Sequence, residues 1–413
     1  MTAVFSLPPL VDSAPPGVKP VATLHKPIAY EVLAPLSDTL DTISLFSPAQ
    51  CWITYGSYGL VFLFFRLRGR GKARHDFRFT KALRVFAVFT GGGLAVIGIA
   101  LIARRPMAAI ELADPNQIAI DFHSHTSASH DGRSDFDAES NREWHSSAGF
   151  NVAYVTDHRT FAGALEARLR NPTRAGDGTT LLPGVELRDG DEHPILIGVD
   201  PERMRITSPD WQQAAVAADG GPAPPILLLS LPGDLTRIPR DETEGRIRLG
   251  GIETSDGSPR GMAQAERERA TIIGISHRLR LALVVGSDNH GWGRTAPAWS
   301  VMQLPGWRAM TPAQLDVAIR QAMIARGPLA LDVIARRTSR SPASFVEGVT
   351  TGVAIPLVML RTLSPLERAS WLTWTWGLYG LSRLMAGANR RKQRVRIARR
   401  RRRPPPARVE AAA

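Results

Sequence analysis

Short apolar runs and amphipathic stretches alternate from residue 116 to residue 330. The runs IAIDF, VAYVT, TLLPGVEL, HPILIGV, PILLLS, GGIET and ALVVGS, between Ile118 and Ser287, have the length and branched content of buried strands. Residues 137–148, 209–218, 262–279 and 312–326 carry apolar positions at helical spacing. Strands alternating with helices predict βα units and a mainly parallel sheet. Seven strands in roughly 220 residues suit a barrel better than a small doubly wound sheet.

Outside this region the pattern changes. Residues 1–42 are Pro-rich and lack a charged start followed by an apolar run, so no cleaved signal peptide is expected. Residues 43–65 and 85–103 carry no formal charge, and each reaches the roughly 20 apolar residues of a transmembrane helix. The basic loop 66–84 between them is predicted to be cytoplasmic, which places 114–340 outside the cytoplasm. Residues 344–387 read as a membrane-associated region with one crossing, anchored by Trp371, Trp374 and Trp376, followed by a basic cytoplasmic tail at 388–413. The expectation is an integral, multi-pass protein of the cell membrane with the lipid bilayer as a partner.

Composition changes this picture in one respect. The 413 residues are 44% hydrophobic, enough for a sizeable core, and carry a net charge of +13. That excess sits in the flanks, whereas 114–340 holds 29 acidic and 25 basic residues. The charge therefore says nothing about a substrate of the central region, and specific nucleic-acid binding is not expected. Cys51 is the single cysteine, which excludes an internal disulfide.

The candidate chemistry lies at the strand ends. The segment DFHSHTSASHDG, residues 121–132, concentrates three of the ten histidines directly after the first apolar run. His123, His125 and Asp131 follow the first strand, Asp157 and His158 the second, Glu186 the third, and Asp288 and His290 the last, with His193 opening the fourth. In a parallel barrel the strand C-termini converge on one face, so these residues would meet. Imidazole and carboxylate ligands suit Zn, Mn or Fe, and a glutamate can bridge two ions. Asp157 reads either as a partner orienting an imidazole or as a cap. Glu253 and Asp256, after GGIET, are placed to face the same site. His130 reads as exposed loop, and His145 and His277 fall on predicted helices in packing or surface roles. Arg159 and Arg294 stand beside the ligand clusters as candidate donors to a substrate phosphate.

In the order and spacing of DFHSHTSASHDG, VTDHRT, PGVEL, EHPILIG and GSDNHG, the region 118–295 resembles the PHP (polymerase and histidinol phosphatase) superfamily of metal-dependent phosphoesterases. The resemblance implies an α/β fold, a distorted (β/α)7 barrel flanked here by transmembrane helices, with two or three divalent ions (Mn, Zn or Fe) at its C-terminal face. It implies that His123, His125, Glu186 and Asp288 hold one ion and that Asp131, His158 and His290 hold a second. Glu186 would bridge toward a third, to which His193 is another ligand. Where the family has a histidine before proline, this chain has Leu231 before Pro232. The site is then binuclear, or completed by water or a neighbour such as Asp234. The expected activity is hydrolysis of a phosphomonoester or phosphodiester, on a phosphorylated small molecule or a nucleotide, through a metal-activated water. Asp288 and Glu186 are the expected catalytic groups. The alternatives are a non-enzymatic, membrane-tethered module binding metal or a phosphorylated ligand, and a mononuclear amidohydrolase-like enzyme. The lysine-bridged amidohydrolases are excluded, because no lysine occurs between Lys81 and Lys392.

Overall fold

The structure, a computed structural model of the chain, describes residues 11–12, 22–68, 79–190, 192–204, 206, 211–219, 221–236, 247–336 and 345–401. The elements before residue 117 are β1 (Val11–Asp12), β2 (Ala22–His25), α1 (Ile28–Val32), α2 (Ala34–Ser44), α3 (Pro48–Arg68), α4 (Phe79–Ile102) and β3 (Ala109–Leu112). There follow β4 (Gln117–Ser124), α5 (Ala138–Ala148), β5 (Val152–Val155), α6 (Ala162–Leu169), β6 (Thr180–Glu186), β7 (Ile195–Ile197), α7 (Trp211–Ala217) and β8 (Ile226–Leu229). The remainder comprises β9 (Arg248–Ser255), α8 (Pro259–Leu279), β10 (Ala282–Val285), β11 (Ala298–Gln303), α9 (Pro312–Arg326), β12 (Asp332–Ala335), α10 (Phe345–Thr362) and α11 (Pro365–Arg401). All seven apolar runs form strands, β4 to β10, and the four predicted helices correspond to α5, α7, α8 and α9.

The strands form one sheet in the order β1-β12-β11-β4-β5-β6-β7-β8-β9-β10. A parallel bridge between Ser124, at the end of β4, and Asn289, after β10, nearly closes the β4-to-β10 part of the sheet into a barrel. This corrects the expected (β/α)7 barrel. β7 runs antiparallel to both β6 and β8, and β11 and β12 extend the sheet antiparallel beyond β4, so the sheet is mixed and larger than seven strands. Connection length explains β7: residues 187–194 join it to β6, and a parallel return needs a crossover of about a dozen residues or more.

The barrel interior is filled by Ile120, Phe122, Tyr154, Ile195, Ile226 and Val284, with Phe122 stacked on Tyr154 at 5.4 Å between ring centroids. Leu315, Ile319 and Met323 of α9 join this cluster. It is therefore a packed core rather than a channel, and the polar chemistry is confined to the rim. α9 starts with a capping box between Thr311 and Gln314 and has Pro312 at its first position, which satisfies otherwise orphaned N–H groups.

Among the described residues, no helix is long and apolar enough to cross a membrane. The expected transmembrane helices, and with them the multi-pass placement in the cell membrane, are corrected on that finding. The stretch 43–65 is not one helix: α2 ends at Ser44 and α3 starts at Pro48. α3 also buries polar groups, and its Ser57 hydroxyl donates to the Val349 carbonyl of α10 at 2.6 Å. All but the last residue of the stretch 85–103 lies in α4, which begins earlier and takes in Lys81 and Arg84. Residues 369–382 fall inside the 37-residue α11, most of whose second half is strongly basic. Without a crossing, the predicted sidedness of 66–84, 114–340 and 388–413 loses its basis. Residues 69–78 of the basic loop and 402–413 of the tail lie outside the described residues.

Candidate metal centre

β4 delivers the first two ligands. Alternation from Ile118 through Ile120 to Phe122 points these side chains into the barrel core. The ladder to β5 is irregular between Asp121 and Ser124, the kind of feature that re-aims a side chain at a strand end. Beyond it the His123 and His125 imidazoles converge, with their Nε2 atoms 3.0 Å apart. Backbone bonds from Asp288 N to His123 O (2.9 Å) and from His125 N to Asn289 O (3.0 Å) fix β4 against the Asp288–His290 loop. Gly286 allows the close approach of these segments, since a Cβ there would collide with the Glu253 carboxylate and the Cβ of His123.

Glu186 is the hub. Its Oε2 lies 3.0 Å from His123 Nε2, 3.2 Å from His125 Nε2 and 3.2 Å from His158 Nδ1, while Oε1 lies 2.9 Å from His193 Nδ1. Asp288 is the second shared carboxylate. Its Oδ1 stands 3.3 Å from His125 Nε2, 3.6 Å from His123 Nε2 and 3.4 Å from His290 Nδ1. Asp131 completes the ring, with one oxygen 3.3 Å from His158 Nε2 and the other 3.2 Å from His290 Nε2. The fold thus brings together His123, His125, Asp131, His158, Glu186, His193, Asp288 and His290, drawn from the ends of β4, β5, β6 and β10 and the start of β7. Among the described residues, two of the three non-glycine residues with positive φ, Arg159 (54°) and Asp288 (45°), sit directly at this site. Backbone strain of this kind persists where the surroundings over-determine it.

The electrostatics of the unliganded cluster follow from burial and from these contacts. Burial opposes ionisation of Glu186, but His123, His125 and His193 around it hold the carboxyl well below its usual range. Burial also opposes charge on His125, yet hydrogen bonds to Asp288 and Glu186 raise it to about 9. At His158 burial prevails and lowers the imidazole to about 4. His290 is lowered by burial and by the neighbouring His125.

The residues fit divalent ions. His125, His158 and His290, and likewise His123, His125 and Asp288, present donor atoms within 4.8 Å of one another. Buried His125 Nδ1 has no hydrogen-bond partner among the described residues, and the facing Nε2 atoms of His123 and His125 can share only one proton between them. Lone pairs converging on one point are what a cation satisfies, in competition with protons.

Several sequence expectations resolve differently. Asp157 touches no imidazole; it accepts from the Thr126 N–H (2.6 Å) and hydroxyl (2.8 Å) and ties β5 to the loop after His125. Asp234 turns its carboxylate to Thr236 and joins no ligand group. Leu231 packs outward with Ile252, Ile272 and Ile275, while Ser230 donates to the His193 carbonyl. His130 is exposed, but Asp131 and His158 stand close enough to form a donor group with it. His145 is buried against Asp121 (2.7 Å), and His277 is exposed on α8. Arg159 is exposed next to His158, and Arg294 lines a neighbouring cleft.

Glu253 contributes more than its place in the sequence suggested. Fully buried, it faces His123 Nδ1 at 2.9 Å with one oxygen and accepts from the Leu231 N–H at 2.7 Å with the other. It therefore fixes which His123 nitrogen faces Glu186. Asp121 orders the next layer, accepting from the N–H groups of His123 and Ser287. The only sequence signal for Glu253 was its position at a strand end, shared with the ligands themselves. Replacing it, as in Glu253→Gln, is expected to weaken ion binding by about 10–100-fold while the protein stays folded. Metal titration followed by calorimetry checks this.

No family model matches the chain, and no curated protein matches it. Among solved structures it is similar to PsfC from Pseudomonas syringae, at 16% identity over 60% of this chain and 98% of that one, with a TM-score of 0.37. A proposed metal-dependent phosphoesterase from Bifidobacterium adolescentis is 20% identical over 49% of this chain and 96% of that one, with a TM-score of 0.30. The lesion-specific endonuclease PfuEndoQ from Pyrococcus furiosus is 13% identical over 52% of this chain and 57% of that one, with a TM-score of 0.38.

Proposed function

We propose that the chain is a metal-dependent phosphoesterase that hydrolyses a phosphomonoester or phosphodiester. One observation carries this reading: two carboxylates, the buried Glu186 and the partly buried Asp288, are each shared among several imidazoles, as suits a centre for two or more ions. Asp131, His158 and His290 supply the ligands on the more open side, and His193 extends the set beyond Glu186. Ions bound there would supply an acidified water and positive charge against the phosphoryl oxygens.

The residues of the chain do the remainder. Glu253 and Asp121 orient the β4 histidine from behind. Asp288 is partly open to solvent, at 17% exposure, and is the group placed to take the proton of the attacking water. The exposed Arg159 beside His158 can hold a non-bridging phosphate oxygen. The substrate is a phosphorylated small molecule or a nucleotide.

The purified full-length chain, loaded with Mn or Zn, is expected to turn over a chromogenic phosphomonoester or phosphodiester, and Asp288→Asn to lose that turnover. A folded, metal-loaded protein with no turnover of either ester would sink the proposal.

A further inference from the structure

A cleft beside the metal centre carries a cation that the metal ligands do not explain. Its walls are the end of α4 with the two residues that follow it (Leu101–Arg104), the segment from Arg133 into α5, and the residues after His290. It shares a wall with the metal centre at two points. Gly291 follows the ligand His290, and Arg133, two residues beyond Asp131, donates its N–H to the His290 carbonyl at 2.9 Å.

Three guanidinium groups line this cleft, and they are not equivalent. Arg133 is matched to Asp135 by two contacts, Nε to Oδ1 at 2.6 Å and Nη2 to Oδ2 at 2.8 Å. Arg104 lies 4.0 Å from the same carboxylate. Arg294 is half-buried, and among the described residues its side chain makes one hydrogen bond, from Nε to the Arg105 carbonyl at 3.4 Å. No ion pair joins Arg294 to a carboxylate among the described residues, although exposed Glu143 lines the same cleft. Its fork of Nη donors is thus available, and that fork matches a carboxylate or phosphate in two-point geometry. Leu101, Phe136 and Trp144 give the cleft an apolar side, which suits the carbon skeleton of an organic anion.

We propose that this cleft is a second substrate subsite, in which Arg294 holds an anionic group remote from the scissile ester. The substrate class is then a phosphoester whose organic part bears a carboxylate or a further phosphate. This rests on the phosphoesterase reading above.

The test compares the full-length wild type, Arg294→Met and Arg294→Lys on three esters. These are p-nitrophenyl phosphate, with no second anion, 3-phosphoglycerate, with a carboxylate, and fructose 1,6-bisphosphate, with a second phosphate. Arg294→Met is expected to raise KM about tenfold or more for at least one of the doubly anionic esters, and Arg294→Lys to recover part of the loss. Both kcat and KM for p-nitrophenyl phosphate stay unchanged. The ester affected tells carboxylate from phosphate. An equal change on all three esters, or none, overturns the subsite, as does turnover of p-nitrophenyl phosphate alone; the phosphoesterase reading survives each of these. If no ester is hydrolysed, that reading falls, and calorimetric binding of 3-phosphoglycerate and of fructose 1,6-bisphosphate to EDTA-treated protein judges the cleft by itself. Weaker binding of either anion by Arg294→Met than by wild type supports the cleft, and equal binding of both overturns it.

Discussion

Glu186→Gln is expected to leave the protein folded and to abolish its metal chemistry. The carboxylate is 4% exposed and stands 2.9–3.2 Å from four imidazoles, two of which belong to the β4 pair. Glutamine fills the same volume but offers one neutral oxygen, so the negative charge that offsets two or more cations is lost. Ions at such a centre contribute several kcal/mol to the transition state, and turnover should fall by about a thousandfold or more. Bound metal per chain, measured by elemental analysis, should fall in parallel, with circular dichroism unchanged. A variant that kept both its metal and its activity would remove Glu186 from the role of bridge.

Asp41→Asn is expected to destabilise the fold by about 3–5 kcal/mol, because it breaks a buried network rather than a surface pair. Asp41, on α2, is 2% exposed and faces Arg105 and Arg336, each at 2.5 Å. It also accepts from the Tyr30 hydroxyl at 2.6 Å and the Thr295 hydroxyl at 2.8 Å. The network joins the N-terminal helices to the residues just before β3, just before β11 and just after β12. Asparagine would leave two buried guanidinium groups without a counter-charge. Chemical denaturation measures the loss.

The same residue sets a pH dependence. Burial pushes the Asp41 carboxyl up, but Arg336 and Arg105 outweigh it and hold the group below its usual value. A carboxyl lowered in the folded state contributes stability that is fully present above its unfolded value, near 3.9, and is lost as pH falls through the folded value. Wild type and Asp41→Asn should therefore differ by a constant amount above about pH 5 and converge below about pH 4.

Residues near in sequence, or repeating with a simple period, were legible. The seven strand runs and four helices follow from hydrophobic spacing, since burying one face selects period 2 or 3.6. That the candidate residues would converge was legible for a related reason. Each of them stands at or beside a strand end, and a sheet that brings these ends together makes one site of distant residues. What the spacing missed needs partners from elsewhere in the chain. The antiparallel turn of β7 is partly legible in the eight residues before it, but its pairing with β8 is not. The apolar stretches 43–65 and 85–103 looked like membrane crossings because composition within a window ignores where a helix breaks and what it packs against.

Hydrophobic spacing along the chain was enough to locate the strand and helix segments and the clusters of histidines and carboxylates at their ends. The packing of distant segments decided that Glu253 backs His123, that Leu231 turns outward, that Asp41 meets two arginines, and that Arg294 lines a cleft beside the site without an ion pair among the described residues. The physical reason is that periodicity encodes which side of an element is buried, whereas the partner of a buried charge is chosen only when distant segments are packed together.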